Sequence, residues 1–540
     1  MTRIITADEV GQHNTTEDLW LAIGDNVWDF TDFAPRHPGG FAGTSSASLS
    51  SFFFRPSLQL IATDLTYTLT VIRKFAGRDA TVTYSEVHPP SLLHREDSVT
   101  MVGKLDPATP KSWSLSTGEP TQDRPANDQA ATIPGSTPIV KEPSKPELET
   151  LINYHDFESA AQSSLTAKTW AFYSSAATDC VTHRLNNSLY NRILLLPRVM
   201  RDMTLVDTSC TILGRKSTLP FFCAPAALAR MAHPDGECAI ARSCARQGIP
   251  QGISTSASYP VEDIVESVVL DKKLPHPEGV DMTFFFQLYV DRDRQKSEKL
   301  LKKVEELGVK GIMVTVDAAT NGKRELDERV SVEQAMKTAP ARIPGEKFNK
   351  DKKGGGLARL MSGFIDSALV WEDIKWLRRN TKLPLVLKGV MTWQDAVLAA
   401  EHGVEGIILS NHGGRNLDTS PPSILTLLDI QRNAPWVFEK LEIIVDGGIK
   451  RGTDIFKALC LGASSVEIGR GFLYSVNYGE EGVERFINIL RDELETTMRL
   501  MGVNSLKELH PGMVNTQDID HLVSVGEKHP YAKGIAKARL

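Results

Sequence analysis

Short apolar runs recur along the last two thirds of the chain, each ending in polar or glycine residues. They are GVKGIMVTVDA (308–318), LPLVLKGV (383–390), GVEGIILSNHGG (403–414), LEIIVDGG (441–448) and ASSVEIGRG (463–471). Between them lie stretches of helical period such as WQDAVLAAEHG and RGTDIFKALCLG. Strand followed by helix at this spacing predicts parallel βα units. LPFFCAPAAL, IPQGISTSAS and FFFQLYV supply earlier strands. Eight strands can then be named, over a length suited to a closed (β/α)8 TIM barrel. An open doubly wound sheet is the competing arrangement, but no GxGxxG follows any strand, which removes the main reason to expect a dinucleotide fold.

The rest of the chain has other rhythms. Residues 1–95 show short apolar segments, such as WLAIGDNVWDFTDF, between polar turns, as in a small α+β domain. Most of 109–147 is rich in Pro, Ser, Thr and charge and offers nothing to build a core, so 96–147 reads as a flexible linker. The barrel is expected over 148–515, followed by a tail at 516–540. A chain of 540 residues suits two or three domains of this kind.

Composition narrows the partners. A net charge of −6 gives no general electrostatic reason to expect nucleic acid or an acidic membrane. The basic stretch KFNKDKKGGG reads as a solvated loop. Cysteines at 180, 210, 223, 238, 244 and 460 contain no CxxC pair, and several sit in apolar segments, so free buried thiols are expected. No apolar run reaches the roughly 18–20 residues that cross a bilayer. The longest candidate, LSSFFFRPSLQLIATDL, is broken by Arg55 and Pro56. The first residues show neither a signal-peptide core nor an Arg-rich transit helix, which makes the cytoplasm the expected compartment.

In a barrel, polar residues at the C-terminal strand ends share one mouth. In order these are Ser254, Gln287 with Tyr289, Thr315 with Asp317, Lys388, Ser410 with His412, Asp446, and Gly469 with Arg470. Arg324 and Arg415 follow two of the strands closely. Any one of them could be a helix cap or a surface residue, but convergence of so many at one mouth asks for chemistry. A histidine serves as a base near neutral pH, and a carboxylate fixes its tautomer; His412 and Asp317 supply the two. Two arginines can grip a substrate carboxylate through forked hydrogen bonds. The GRG at 469–471, with Lys450, offers a nest and charge for phosphate. Lys388, Gln287 and Thr315 are donors suited to a polar ring edge. Together they suggest a phosphorylated redox cofactor beside an acid substrate.

SNHGGRNLD, VDGGIKRGTD, TVDAATNGKRELD and QLYV resemble the FMN-dependent 2-hydroxy-acid dehydrogenase/oxidase family, and the likeness spans nearly all of 150–515. The resemblance implies His412 as the proton-abstracting base with Asp317 as its partner. It implies Arg415 and Arg324 on the substrate carboxylate and Tyr289 near the hydroxyl. It assigns Ala227, Ser254, Gln287, Thr315, Lys388, Ser410, Asp446, Gly448, Lys450, Gly469 and Arg470 to the FMN pocket. Three positions bear on substrate and phosphate. Phe172, in WAFYSSAATD, stands where the family usually has a substrate-binding tyrosine; the lost hydroxyl should weaken one contact by about 1 kcal/mol. Lys450 replaces the family's arginine, keeping the charge without the fork. Ser256 stands where the family shapes the side-chain pocket, leaving room for substituents beyond a methyl group.

VWDFTDFAPRHPGG resembles the first haem-ligand segment of the cytochrome b5 family, and FAGRDATVTYSEVHPP the second. That likeness implies haem b held axially by His37 and His88, an arrangement suited to electron transfer because no open site remains at iron. Residues 41–75 lie between the two segments, about 28 more than the family's usual spacing. An insertion that loops out would fit this, and so would translated non-coding sequence that damages the haem pocket. A b5-like module joined to such a barrel implies oxidation of an L-2-hydroxy acid, L-lactate foremost, with electrons passed from FMN through haem to cytochrome c. It further implies a homotetramer and, as a second compartment, the mitochondrial intermembrane space. The alternatives are an oxygen-using oxidase with a silent haem module, and a b5-type electron carrier with a non-catalytic barrel.

Overall fold

The structure, a computed structural model, describes residues 3–15, 17–34, 72, 75–94, 98–109, 145–270, 277–330, 357, 363–524 and 526. The chain divides into two compact units. The first is built on residues up to Glu147, and the second on Leu148–Ala161, Thr169–Asp327 and Ile365–Leu540.

In the N-terminal unit, Trp20–Ile23 and Asn26–Asp29 pair as an antiparallel hairpin, closed by a two-residue turn in which Gly24 takes a φ of 62°. Alternation along these strands feeds two clusters. Leu21, Ile23 and Trp28 join Leu19, Phe30 and Leu93 in one, while Trp20 and Val27 join Ile5 and Val10 in the other. The full strand order is Ile4–Ile5, Thr100–Leu105, Asn26–Asp29, Trp20–Ile23, Arg78–Asp79. Thr100–Leu105 thus belongs to this sheet, although the sequence placed it at the start of the linker. Its pairing partners lie more than seventy residues away in the chain, so no local pattern announces it. His88 ends the helix Thr81–Val87, its N–H bonded to the Tyr84 carbonyl at 2.8 Å. Within 41–75 only Ile72 and Phe75 are described, and both pack into the Trp28 cluster. The rest of that segment, His37 and 110–144 lie outside the described residues.

The second unit is the expected barrel. Its strands are β1 (Phe221–Cys223), β2 (Gln251–Ser254), β3 (Phe284–Leu288), β4 (Ile312–Thr315), β5 (Leu385–Val390), β6 (Gly406–Leu409), β7 (Glu442–Val445) and β8 (Ser465–Ile468). All pair in parallel in chain order, and β8 closes on β1 through Val466–Phe221, Glu467–Phe222 and Ile468–Cys223. Closure excludes the open-sheet alternative.

The floor of the barrel is apolar. Phe222, Phe285, Met313, Val386, Ile408 and Ile444 meet there, with Ile212 and Leu213 from the hairpin Cys210–Ile212/Arg215–Ser217 packed among them. Side chains two positions apart on a strand share a face. Two residues beyond the floor come Gln287, Thr315, Lys388, Ser410 and Asp446, and two further come Tyr289, Asp317 and His412. The strand period alone therefore stacks the polar residues in layers above a dry floor. Among the described residues no helix is long and apolar enough to cross a membrane, and no group of three His, Cys, Asp or Glu could hold a metal ion. All six cysteines are free thiols, four of them buried.

Candidate active site

Beyond β6 the chain passes through three consecutive left-handed residues, His412 (φ 59°), Gly413 (φ 64°) and Gly414 (φ 77°). For histidine this conformation is uncommon and strained, and it is held here by a hydrogen bond from its N–H to Ser410 Oγ at 3.0 Å. Gly414 has a second reason to lack a side chain: a Cβ would lie 2.8 Å from the His183 nitrogen. The turn is fixed further by Asn411, which exchanges side-chain hydrogen bonds with Asn186 at 2.7 and 2.9 Å.

This turn aims His412 across the mouth. Its Nδ1 lies 3.0 and 3.1 Å from the two Asp317 carboxylate oxygens, and its Nε2 lies 3.5 Å from the Tyr289 hydroxyl. Asn416 braces the pair, donating to the Asp317 carbonyl at 2.9 Å and sitting 3.2 Å from His412 Nδ1. With Nδ1 donating to Asp317, Nε2 is left as the acceptor facing the mouth. Burial pushes the Tyr289 phenol up, with the Asp317 charge adding to it, so this hydroxyl stays protonated. Space for Asp317 comes from Gly389 (φ 109°) at an irregularity in β5, where a Cβ would fall 2.6 Å from that of Asp317.

Three arginines gather beside this pair. Arg324, 6% exposed, donates from Nε to the Arg415 carbonyl at 3.3 Å. Arg415 Nη1 donates to the Tyr173 and Ser175 carbonyls at 2.9 and 3.0 Å. Arg470 donates to the same two carbonyls, each at 3.1 Å, and to the Gly413 carbonyl at 3.1 Å. The Tyr173 and Ser175 carbonyls lie at the C-terminal end of the helix Ala167–Ser174, the end that carries partial negative charge. Burial lowers Arg324 to about 10 and pushes Arg415 well below the usual guanidinium range, the neighbouring arginines adding to the effect on Arg415. Such a cluster is stabilised by an anion. Phe172, buried, lies under Arg415 with its ring centre 5.4 Å from the guanidinium carbon.

One layer down, Gln287 donates to Thr315 Oγ1 at 2.9 Å and accepts from Ser254 Oγ at 3.3 Å. The Lys388 ammonium lies 2.9 Å from Asp446 and also bonds Glu467. Ser410 Oγ donates to the same Asp446 oxygen at 2.7 Å. Ser256 sits just above, its N–H on Ser254 Oγ at 3.1 Å. Ala227 lies in the loop after β1, half-buried. Gly448 packs against the helix Val181–Ser188, where a Cβ would meet the Asn186 carbonyl at 2.1 Å, and Gly469 immediately precedes Arg470. Lys450 has its own contacts. Its ammonium pairs with Glu158 at 3.1 Å and lies 4.8 Å from the Tyr154 ring centre, so it shares no hydrogen-bond partner with Arg470.

Four contributors were not singled out from sequence. Glu467 stood in plain view inside ASSVEIGRG as an acidic residue on an apolar strand, and Asn416 inside SNHGGRNLD. His183 lies 3.2 Å from Arg470 Nη1 and had no such signal. Nor had Glu237, a buried carboxylate accepting from the Ala229 and Ser258 N–H groups at 2.9 and 2.8 Å, which ties the loop after β1 to the loop after β2.

The layer around Lys388 fits a flavin ring edge. It combines donors from Lys388, Gln287 and Ser254 with a buried acceptor, Asp446 Oδ1, that has no hydrogen-bond partner among the described residues. Unmet buried acceptors call for a donor-bearing ligand.

Known proteins agree with this geometry. The family described as FMN-dependent dehydrogenase matches residues 161–516, and the cytochrome b5-like heme/steroid binding domain matches residues 6–48. The L-lactate dehydrogenase (cytochrome) of Wickerhamomyces anomalus is 36% identical over 531 residues, 98% of this chain and 82% of that protein. Its Saccharomyces cerevisiae counterpart is 38% identical over 525 residues, 95% of this chain and 79% of that protein. Among solved structures, the recombinant flavin-binding domain of baker's yeast flavocytochrome b2 superposes with a TM-score of 0.61 at 41% identity, covering 71% of this chain and 91% of that one. Because the first of these matches takes in every strand of the closed barrel, the chain belongs to the FMN-dependent dehydrogenase family, with a cytochrome b5-like domain fused ahead of it.

Proposed function

We propose that this enzyme oxidises an L-2-hydroxy acid, with L-lactate as the foremost substrate, and delivers the electrons through haem b to cytochrome c. The observation that carries the reading is His412, with Nδ1 on Asp317 and Nε2 facing the Tyr289 hydroxyl, beside Arg324 and Arg415. Nε2 takes a proton from the substrate, and the Asp317 carboxylate stabilises the imidazolium that forms. The protonated Tyr289 hydroxyl donates to the substrate oxygen. Arg415 keeps Nε and Nη2 for a substrate carboxylate while Nη1 anchors it to the helix end, and Arg324 supplies the second guanidinium. Bound FMN supplies the two-electron acceptor. Lys388, Gln287, Thr315, Ser254 and Ser410 are the residues that would hold its ring. A cytochrome as acceptor is supported by the two relatives named L-lactate dehydrogenase (cytochrome).

A visible spectrum of the purified protein, followed by L-lactate under anaerobic conditions, tests the reading. Flavin and haem bands, both bleached or shifted by substrate, are the expected result. Flavin without haem, with oxygen consumption, would replace it with the oxidase reading, and absence of flavin would overturn it. His412→Ala should keep FMN and slow flavin reduction by about 10²–10⁴-fold, read by rapid mixing; a rate within about tenfold of wild type would remove His412 as the base.

A further inference from the structure

We propose that Glu467 is a positioning residue that sets how much of the Lys388 charge the flavin feels, and so sets the redox potential of the site. The inference rests on the FMN reading above. In β8, Glu467 pairs in register with Phe222, a residue of the barrel floor, so its side chain points into the barrel. That side chain is fully buried and bonds the ammonium of Lys388, a residue 5% exposed. The same ammonium lies 2.9 Å from Asp446. One cation thus faces two carboxylates in a water-poor layer, where charges act on one another strongly.

The two carboxylates are not equivalent. Asp446 also accepts from Ser410 Oγ at 2.7 Å, and Ser410 Oγ accepts the His412 N–H at 3.0 Å, so Asp446 belongs to the scaffold of the catalytic turn. Among the described residues the Glu467 side chain bonds only Lys388, and its Oε2 has no partner. A buried carboxylate oxygen without a partner is unfavourable for folding alone. Its effect is electrostatic: it compensates Lys388 and opposes the negative charge that builds on a flavin accepting electrons. Glu467 therefore holds the flavin potential lower than Lys388 with Asp446 alone would.

The test is a spectroelectrochemical titration of the full-length FMN-loaded protein, read at the flavin bands. Glu467→Gln keeps the shape and removes the charge. It should move the two-electron equilibrium at least tenfold toward reduced flavin, a rise of about 30 mV. Glu467→Asp, which keeps the charge, should stay within threefold of wild type. If Glu467→Gln does not fold, Glu467→Met, of similar length and uncharged, takes its place with the same expected shift. A charge-removing variant that binds FMN and titrates within threefold of wild type overturns the proposal. So does one that folds with a wild-type melting curve but loses FMN, because Glu467 would then be a cofactor-binding group. A wild-type protein that binds no FMN would instead overturn the functional reading on which the proposal stands.

Discussion

Arg415 and Arg470 converge on two carbonyls, Tyr173 and Ser175, and these shared contacts predict that neither arginine exchanges for lysine without loss. A guanidinium can hold a helix end with one nitrogen and still present a planar edge to a carboxylate; an ammonium is a point charge. Arg415→Lys should therefore lower kcat/KM by at least about tenfold, affecting both kcat and KM, and steady-state kinetics at constant ionic strength will show it. Unchanged kcat/KM would make Arg415 purely structural. His183, beside Arg470, carries a pH signature. Burial first, then the Arg470 charge, push it down to about 4 from 6.5. Between those values the unfolded chain binds a proton that the folded chain refuses, so stability falls as pH drops from about 6.5 towards about 4. The melting temperature of wild type should fall more steeply across that window than that of His183→Gln. Parallel slopes would mean that His183 titrates normally. Nothing near His183 in the chain forecasts this, since Arg470 is 287 residues away.

Elements decide where the chemistry can fit. β5 breaks its regular register between Lys388 and Val390, and Gly389 occupies the break with a φ of 109°, closed to most side chains. The space so released is filled by Asp317, two residues past the end of β4. Gly389→Ala should cost about 1–3 kcal/mol of stability and push Asp317 away from His412. Thermal melting will register the first effect, and a slowed flavin reduction that outlasts any loss of fold will register the second. A variant with wild-type melting and wild-type reduction would show that the strand absorbs the Cβ elsewhere. The strand itself was legible in LPLVLKGV from its apolar run. The break was not, because a glycine in a strand pattern says only that something comes close.

At the scale of the whole molecule, the proposed delivery of electrons to cytochrome c requires them to leave the barrel. The Pro, Ser and Thr content of 109–147 predicts that limited proteolysis cuts there first. The cleaved barrel should still reduce an artificial acceptor with substrate while losing cytochrome c reduction. Cytochrome c reduction at the original rate after clean removal of the N-terminal module would rule out relay through haem.

By itself the sequence determined the barrel and the principal pair of its mouth. Strand and helix periods are local, eight βα units leave few ways to close, and alternation along a strand forces polar ends to stack over an apolar floor. His412 and Asp317 were legible for that reason, as were Gln287, Thr315 and Lys388. Only the tertiary structure decided the partners. Lys388 meets Asp446 and Glu467 across separations of 58 and 79 residues, because barrel closure brings β5, β7 and β8 around one interior. Lys450, which the sequence placed at a phosphate, meets Glu158 at a separation of 292 residues. Thr100–Leu105 joins the N-terminal sheet because its partners come from the start of the chain. A sequence pattern records which face a residue presents. Which other residue waits on that face is set by register and closure, properties of the assembled sheet that no single segment contains.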